Sequence, residues 1–133
     1  MVVDRVVAQE IALRATPASV ALARLHFATV AADRAMPDHV RDAGALAVSE
    51  LVTNAIVHGA DPITLRVTAS DRMVRVAVSD GDPRPPRPGR RDARLRPDHG
   101  RGLAIVDSVC DRWGCEPEVL RSGKTVWCDL TYT

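Results

Sequence analysis

Three residues at helical spacing carry the first chemical signal in this chain. Glu50, Asn54 and His58 stand at i, i+4 and i+8 within Glu50-Leu51-Val52-Thr53-Asn54-Ala55-Ile56-Val57-His58-Gly59, so they share one stripe of a helix. A carboxylate and a carboxamide one turn apart suit phosphate chemistry. The carboxylate can take a proton or orient a nucleophile, and the amide oxygen can ligate a hard cation such as Mg2+. Asp80 ends the apolar run Val76-Ala77-Val78-Ser79-Asp80 and is followed by Gly81. A carboxylate just past a strand points into the cleft at the sheet end. There it can accept a hydrogen from the exocyclic amine of adenine and discriminate against bases lacking that donor. His99-Gly100-Arg101-Gly102 leads into an apolar helical pattern, where glycine backbone and free helix N–H groups could cradle phosphate. It is neither the dinucleotide fingerprint nor a Walker loop, because it lacks the third glycine and any following G-K-[ST]. Gly123-Lys124-Thr125-Val126 puts Thr125 where it could hydrogen-bond a base or a water beside it. Taken singly, each motif has a plainer reading: a solvated stripe, an Asp-Gly turn, tight-turn glycines, and a turn before a strand.

The elements that must position these residues are legible from periodicity. Residues 5 to about 14 alternate weakly and predict a strand. Thr16-Pro17 predicts a helix start with Thr16 as N-cap. The helix runs to about Asp33, with Val20, Ala23, Leu25, Phe27 and Val30 on its apolar side. Pro37-Asp38 opens a long amphipathic helix whose apolar positions include Val40, Ala43, Ala47, Leu51 and Ala55. Gly59 should end it as a left-handed cap. Ile63, Leu65, Val67 and Ala69, then Val74, Val76 and Val78, alternate with polar or smaller residues across the turn Ser70-Asp71-Arg72. This predicts an antiparallel hairpin. From Gly81 to His99 the prolines forbid regular structure, and Arg84, Arg87, Arg90, Arg91, Arg94 and Arg96 make a basic, lid-like loop. A third helix is expected from about Gly102 to Trp113, capped by Gly114, and then strands over roughly Glu116–Arg121 and Lys124–Thr131. Alternation in the strands implies one wet sheet face. The expected fold is α+β: a two-layer sandwich, with one mixed, largely antiparallel sheet of about five strands covered on one face by three helices.

Composition bounds the function. With 133 residues and 46% hydrophobic content, the chain is expected to form a single domain, residues 1–133, around one core. The net charge of +1 sets up no field toward nucleic acid or membrane. No apolar run is long enough to span a bilayer, and Asp4 and Glu10 argue against a signal peptide. Cys110, Cys115 and Cys128 form an odd set without C-x-x-C spacing, so reduced thiols in a cytoplasmic protein are expected rather than a zinc site or disulfides.

The motifs occur in one fixed order: acid-x-x-x-Asn late in a long helix, Asp after a strand, a basic lid, G-x-G at a helix, and a final G-x-T. In this the chain resembles the GHKL, or Bergerat-fold, ATPases, which include gyrase and the histidine kinases. It is most similar to their small stand-alone branch, the anti-sigma factor serine/threonine kinases. Ser49-Glu50-Leu51-Val52-Thr53-Asn54-Ala55-Ile56-Val57-His58-Gly59 resembles the N box of that branch. Arg101-Gly102-Leu103 with Val106, Asp107 and Trp113-Gly114 resembles its second glycine box.

The resemblance implies ATP and Mg2+ as cofactors. Glu50 would be the catalytic base and Asn54 the metal and nucleotide ligand. Asp80 would select adenine, Gly100, Arg101, Gly102 and Leu103 would lie at the phosphates, and Thr125 would support the adenine contact. It implies transfer of the γ-phosphate to a Ser or Thr of an antagonist protein, a sigma factor as a further partner, and room for a homodimer. One departure stands out. The wider family has D-x-G-x-G, whereas this chain reads Asp80-Gly81-Asp82-Pro83-Arg84, keeping the carboxylate and replacing both later glycines. The alternatives are a non-catalytic ATP-gated module that sequesters a regulator, and a nucleic-acid binder using the arginine lid. Neutral overall charge and the lack of aromatics in the lid argue against the latter.

Overall fold

The computed structural model describes residues 5–85, 97–118 and 122–132, apart from the side chains of 97–102. The elements run β1 (Val7–Leu13), α1 (Ala18–Asp33), α2 (Asp38–His58), β2 (Ile63–Ala69), β3 (Met73–Asp80), α3 (Pro97–Val109), β4 (Arg112–Pro117) and β5 (Lys124–Thr131). The strands form one five-stranded sheet in the order β1-β2-β3-β5-β4. Every pairing is antiparallel, so the sheet is not mixed. α2 lies against β2, β3 and β5. α1 lies against β1 and β2, and α3 against α2 and β4. This is the expected α+β sandwich.

The strand alternation does what its period demands. Ile63, Leu65, Val67 and Ala69 of β2, Val74, Val76 and Val78 of β3, and Val126, Cys128 and Leu130 of β5 are buried. They meet Val48, Leu51, Val52 and Ala55 of α2 in one core. Each fully buried Val or Leu contributes about 1.5–3 kcal/mol, which is how so aliphatic a chain builds a core without aromatics. Phe27 is the exception. It reaches from α1 into α2 at Gly44, where an added Cβ would lie 2.1 Å from its ring. Only a residue without a side chain admits the ring there.

α1 departs from expectation in two respects. No side chain caps its start: Pro17 precedes it with helical dihedrals, and the Thr16 side chain makes no cap bond. The Thr16 carbonyl instead accepts from Ser19 N–H at 3.0 Å. Leu25, read as core, is 65% exposed, because Ala23, Phe27 and Val30 already fill the face toward the sheet. At the other end, Ala35 takes φ 52°. Met36 N–H bonds back to the Ala31 carbonyl at 3.2 Å, closing α1 with a Schellman-type turn without glycine.

The third helix and the strand after it are also displaced from expectation. α3 begins at Pro97, a residue suited to a first helical position, and ends at Val109. Trp113 and Gly114 belong to β4 rather than to a helix end. Pairing with β5 captures this segment: Asp111 N–H donates to the Asp129 carbonyl at 2.9 Å, and the Asp111 carboxylate accepts from Thr131 N–H and Oγ1 at 2.6 and 2.8 Å. Helical spacing up to Trp113 was outweighed by these sheet bonds. The arginines from Arg87 to Arg96, and the expected strand end at 119–121, lie outside the described residues.

The sheet face away from the helices carries its own polar cluster. Asp129, with 0% exposure, accepts from Arg75 Nε at 2.7 Å and Nη2 at 2.9 Å, and from Arg112 Nη2 at 2.8 Å. The Arg75 guanidinium lies 4.1 Å from the Trp127 ring centre. Trp127 packs over Gly114 of β4, where a Cβ would meet the indole at 2.8 Å. Burial works against the charge on Asp129, but the hydrogen bonds from Arg75 and Arg112 prevail and hold its carboxyl below the usual range. The unfolded chain therefore binds the proton more readily, so this stabilisation is complete above about pH 5 and is lost as pH falls below about 4. Asp129→Asn should lower unfolding free energy at pH 7 by about 1–3 kcal/mol, since both arginines lose an ionised acceptor. Chemical denaturation of the variant should also show a shallower acid dependence than the native chain.

Candidate functional site

The site gathers at one end of the sheet, where β3 ends, β2 and β5 begin, and α2 terminates. Asp80 is the last residue of β3, and the β3–β5 register sets it opposite Lys124. Both face the helices, because they continue the buried alternation of their strands. Lys124 Nζ lies 3.1 Å from Asp80 Oδ1 and 3.0 Å from Oδ2, with the two side chains 8% and 3% exposed. Asp82 N–H donates to Asp80 Oδ1 at 2.8 Å. The Asp82 carbonyl accepts from Lys124 Nζ at 3.0 Å. Asp82 is itself held by Arg84, whose side-chain and backbone hydrogen bonds keep its carboxyl well below the ordinary carboxylate range.

Two glycines make room for this pair. Gly59 ends α2, but with φ −93° and ψ −159° it is extended rather than left-handed. Its missing side chain matters instead: a Cβ would stand 2.5 Å from Asp80 Cγ and 2.6 Å from the Ala55 carbonyl. Gly123, at φ 152°, takes a backbone shape that other residues avoid, and a Cβ there would meet the Asp80 carbonyl at 2.4 Å. The backbone joining α2 to β2 is tied in by Gly81 N–H, which donates to the Ala60 carbonyl at 2.6 Å.

The α2 stripe reaches this end of the sheet. Glu50 and Asn54 are half-buried and His58 is exposed. Neither Glu50 nor Asn54 makes a side-chain hydrogen bond or ion pair to a described residue. Among the described residues, then, this half-buried carboxylate and carboxamide, one turn apart, keep their hydrogen-bonding capacity. No group of three metal-binding side chains occurs among the described residues. Asn54 alone would therefore hold Mg2+ only if phosphate oxygens and water completed its shell, the usual arrangement for that ion.

The remaining expectations fare unequally. Gly100 and Gly102 lie within the opening turns of α3, not ahead of it, and Arg101 lies between them. Leu103 is a core residue, 2% exposed. Thr125 does not sit beside Asp80. Its hydroxyl is 2.6 Å from Ser79 Oγ and donates to Glu118 Oε1 at 2.7 Å, on the opposite face of the sheet. The reason is the two-residue period of a strand: Lys124 and Thr125 must point to opposite faces, and the register gives Asp80 to Lys124. The spacing of Asp80 and Lys124 in sequence offered no sign of this ion pair. The alternation of β5 could have revealed which of its residues faces inward.

Comparison with known proteins bears on the same residues. The histidine kinase-like ATPase domain family matches over residues 13–128. An uncharacterised protein of Streptomyces coelicolor, SCO4941, is 38% identical over 72 residues, spanning 52% of this chain and 69% of that protein. The crystal structure of the RsbU and RsbW domains of Rv1364c from Mycobacterium tuberculosis superposes with a TM-score of 0.68 at 20% identity. It covers 92% of this chain, while this chain spans only 31% of that one.

Asp80→Asn is expected to lower stability by about 3 kcal/mol, because it leaves the Lys124 ammonium buried without its counter-charge. The double variant Asp80→Asn, Lys124→Met should recover much of that loss. Urea unfolding of the native chain, the single variants and the double variant measures the coupling.

Proposed function

Because the chain belongs to the histidine kinase-like ATPase domain family, we propose that it is an ATP-dependent regulatory kinase of the anti-sigma type. It would move the γ-phosphate of ATP to a Ser or Thr of a small antagonist protein. The observation that carries this reading is the course of α2. One helix bears Glu50 and Asn54, which have no side-chain partner among the described residues, and ends at Gly59 against the buried carboxylate of Asp80. On this reading the groups for phosphate and for base would follow the line of one helix.

The roles divide by chemistry. Asp80 accepts the adenine amine. Asn54 would offer its amide oxygen to Mg2+, which would supply charge neutralisation at the phosphates. Glu50 orients the acceptor hydroxyl and takes its proton. Gly100 and Gly102 allow the opening turns of α3 to approach phosphate, with Arg101 as a cationic neighbour. Catalysis would then be positioning plus charge neutralisation, as phosphoryl transfer requires. The partners are an antagonist protein and a sigma factor, the cellular site is the cytoplasm, and a homodimer is compatible with this reading. No helix among the described residues is long and apolar enough to cross a membrane.

A second reading has an observation in its favour. The start of the segment after β3 is tied to β5 by Lys124 on the Asp82 carbonyl. A segment held in this way suits an ATP-gated module that binds and sequesters a regulator without turnover.

Glu50 and Asn54 separate the two readings. Asn54→Ala should lose Mg2+-dependent ATP affinity and phosphate transfer together, since the metal acts in both ground and transition states. Glu50→Gln should keep ATP affinity and melting temperature and lose transfer by about 10²-fold or more. The measurements are calorimetric ATP binding and radiolabel transfer to a co-expressed antagonist. Transfer at the native rate by Glu50→Gln would remove the base. ATP binding by the native chain without transfer to any partner would favour the sequestering module.

A further inference from the structure

We propose that Lys124 is the specificity-determining partner of Asp80: it aims the carboxylate and leaves it one open acceptor oxygen, Oδ2, for the base. The inference deepens the nucleotide-site reading and rests on it.

An ammonium has three protons and no acceptor. Those of Lys124 have three protein oxygens within reach, Asp80 Oδ1 at 3.1 Å, Asp80 Oδ2 at 3.0 Å and the Asp82 carbonyl at 3.0 Å. An ionised carboxylate has about four acceptor positions. On Asp80, Oδ1 accepts hydrogen bonds from Lys124 and the Asp82 N–H, while Oδ2 lies within ion-pair range of Lys124 and accepts no hydrogen bond from a described residue. Among the described residues, Oδ2 is therefore the oxygen left to accept a hydrogen bond. The same oxygen lies beside Gly59, where a Cβ would approach it to 2.7 Å.

The alternative arrangement shows what Lys124 adds. A carboxylate at the end of a strand turns broadly about its last torsion and would offer its lone pairs in several directions. Gripped through both oxygens, Asp80 offers one. By bonding the Asp82 carbonyl, the same ammonium also ties the start of the proline-bearing segment to β5. An adenine amine arriving at Oδ2 finds an aimed acceptor and need not displace the lysine. A purine without that amine leaves the position empty.

The test compares ATP with purine riboside triphosphate, which has the same phosphates and ring system but no exocyclic amine. The native chain should prefer ATP by about tenfold, the worth of one good hydrogen bond to a charged acceptor. Lys124→Met should reduce that preference to within about twofold and leave the affinity for purine riboside triphosphate nearly unchanged. If Lys124→Met does not fold, Lys124→Gln, which keeps a donor and drops the charge, is read in the same way and should also lose the preference. A folded variant that retains the native preference overturns the inference and leaves the nucleotide site standing. Equal weakening of both triphosphates, or failure of both variants to fold, assigns Lys124 to structure alone and overturns it as well. A native chain that binds neither triphosphate overturns both readings.

Discussion

The pairing of β3 with β5 in a single register governs both faces of this sheet. On the helix side it sets Asp80 against Lys124, and on the open side Arg75 against Asp129 and Ser79 against Thr125. A slip of one residue would exchange the faces. Lys124 would move into the wet layer, and the buried carboxylate of Asp80 would lose its counter-ion. The burial of Val74, Val76 and Val78 beside Val126, Cys128 and Leu130 makes such a slip costly. The geometry of the site is thus inherited from hydrophobic alternation in two strands that lie far apart in the chain.

The chain order explains why these strands meet. Between β3 and β5 the chain leaves the sheet, forms α3, and returns as the edge strand β4. β5 then inserts between β3 and β4. That path carries α3 beside α2. It also brings Gly123 under the last residue of β3, where its positive φ lets the backbone pass the Asp80 carbonyl. Apolar packing and charge act in different layers. Aliphatic residues join the helices to the sheet, and the Arg75–Asp129–Arg112 cluster spans β3, β5 and β4 on the far side. The cluster's strength depends on pH, whereas that of the aliphatic core does not.

Much of this architecture was legible in the residues themselves. Alternation in Ile63–Ala69 and Val74–Val78, the spacing of apolar residues from Val40 to Ala55, and the turn at Ser70-Asp71-Arg72 each express a local period that the backbone must satisfy. For that reason α2, β2, β3 and β5 lie where their patterns put them. The order of Glu50, Asn54, Asp80 and the glycines was likewise visible, because each stands at an end or on a stripe of a periodic element. It sufficed to indicate the histidine kinase-like family.

Other features depend on contacts between distant segments, and only the tertiary structure decided them. Trp113 and Gly114 read as the end of a helix until β5 offered them hydrogen bonds. Gly59 read as a left-handed cap, whereas its actual requirement is space for the Asp80 carboxylate. Thr125 read as a residue beside Asp80, but the strand period and the register gave that place to Lys124. Leu25 lost its core place to Phe27, which enters α2 at Gly44. In each case the local pattern was compatible with more than one outcome, and a long-range hydrogen bond, ion pair or close contact selected one of them. Local periodicity therefore determined the elements and the order of the motifs, while nonlocal pairing determined which side chains face one another, because register and steric fit exist only once the chain has closed on itself.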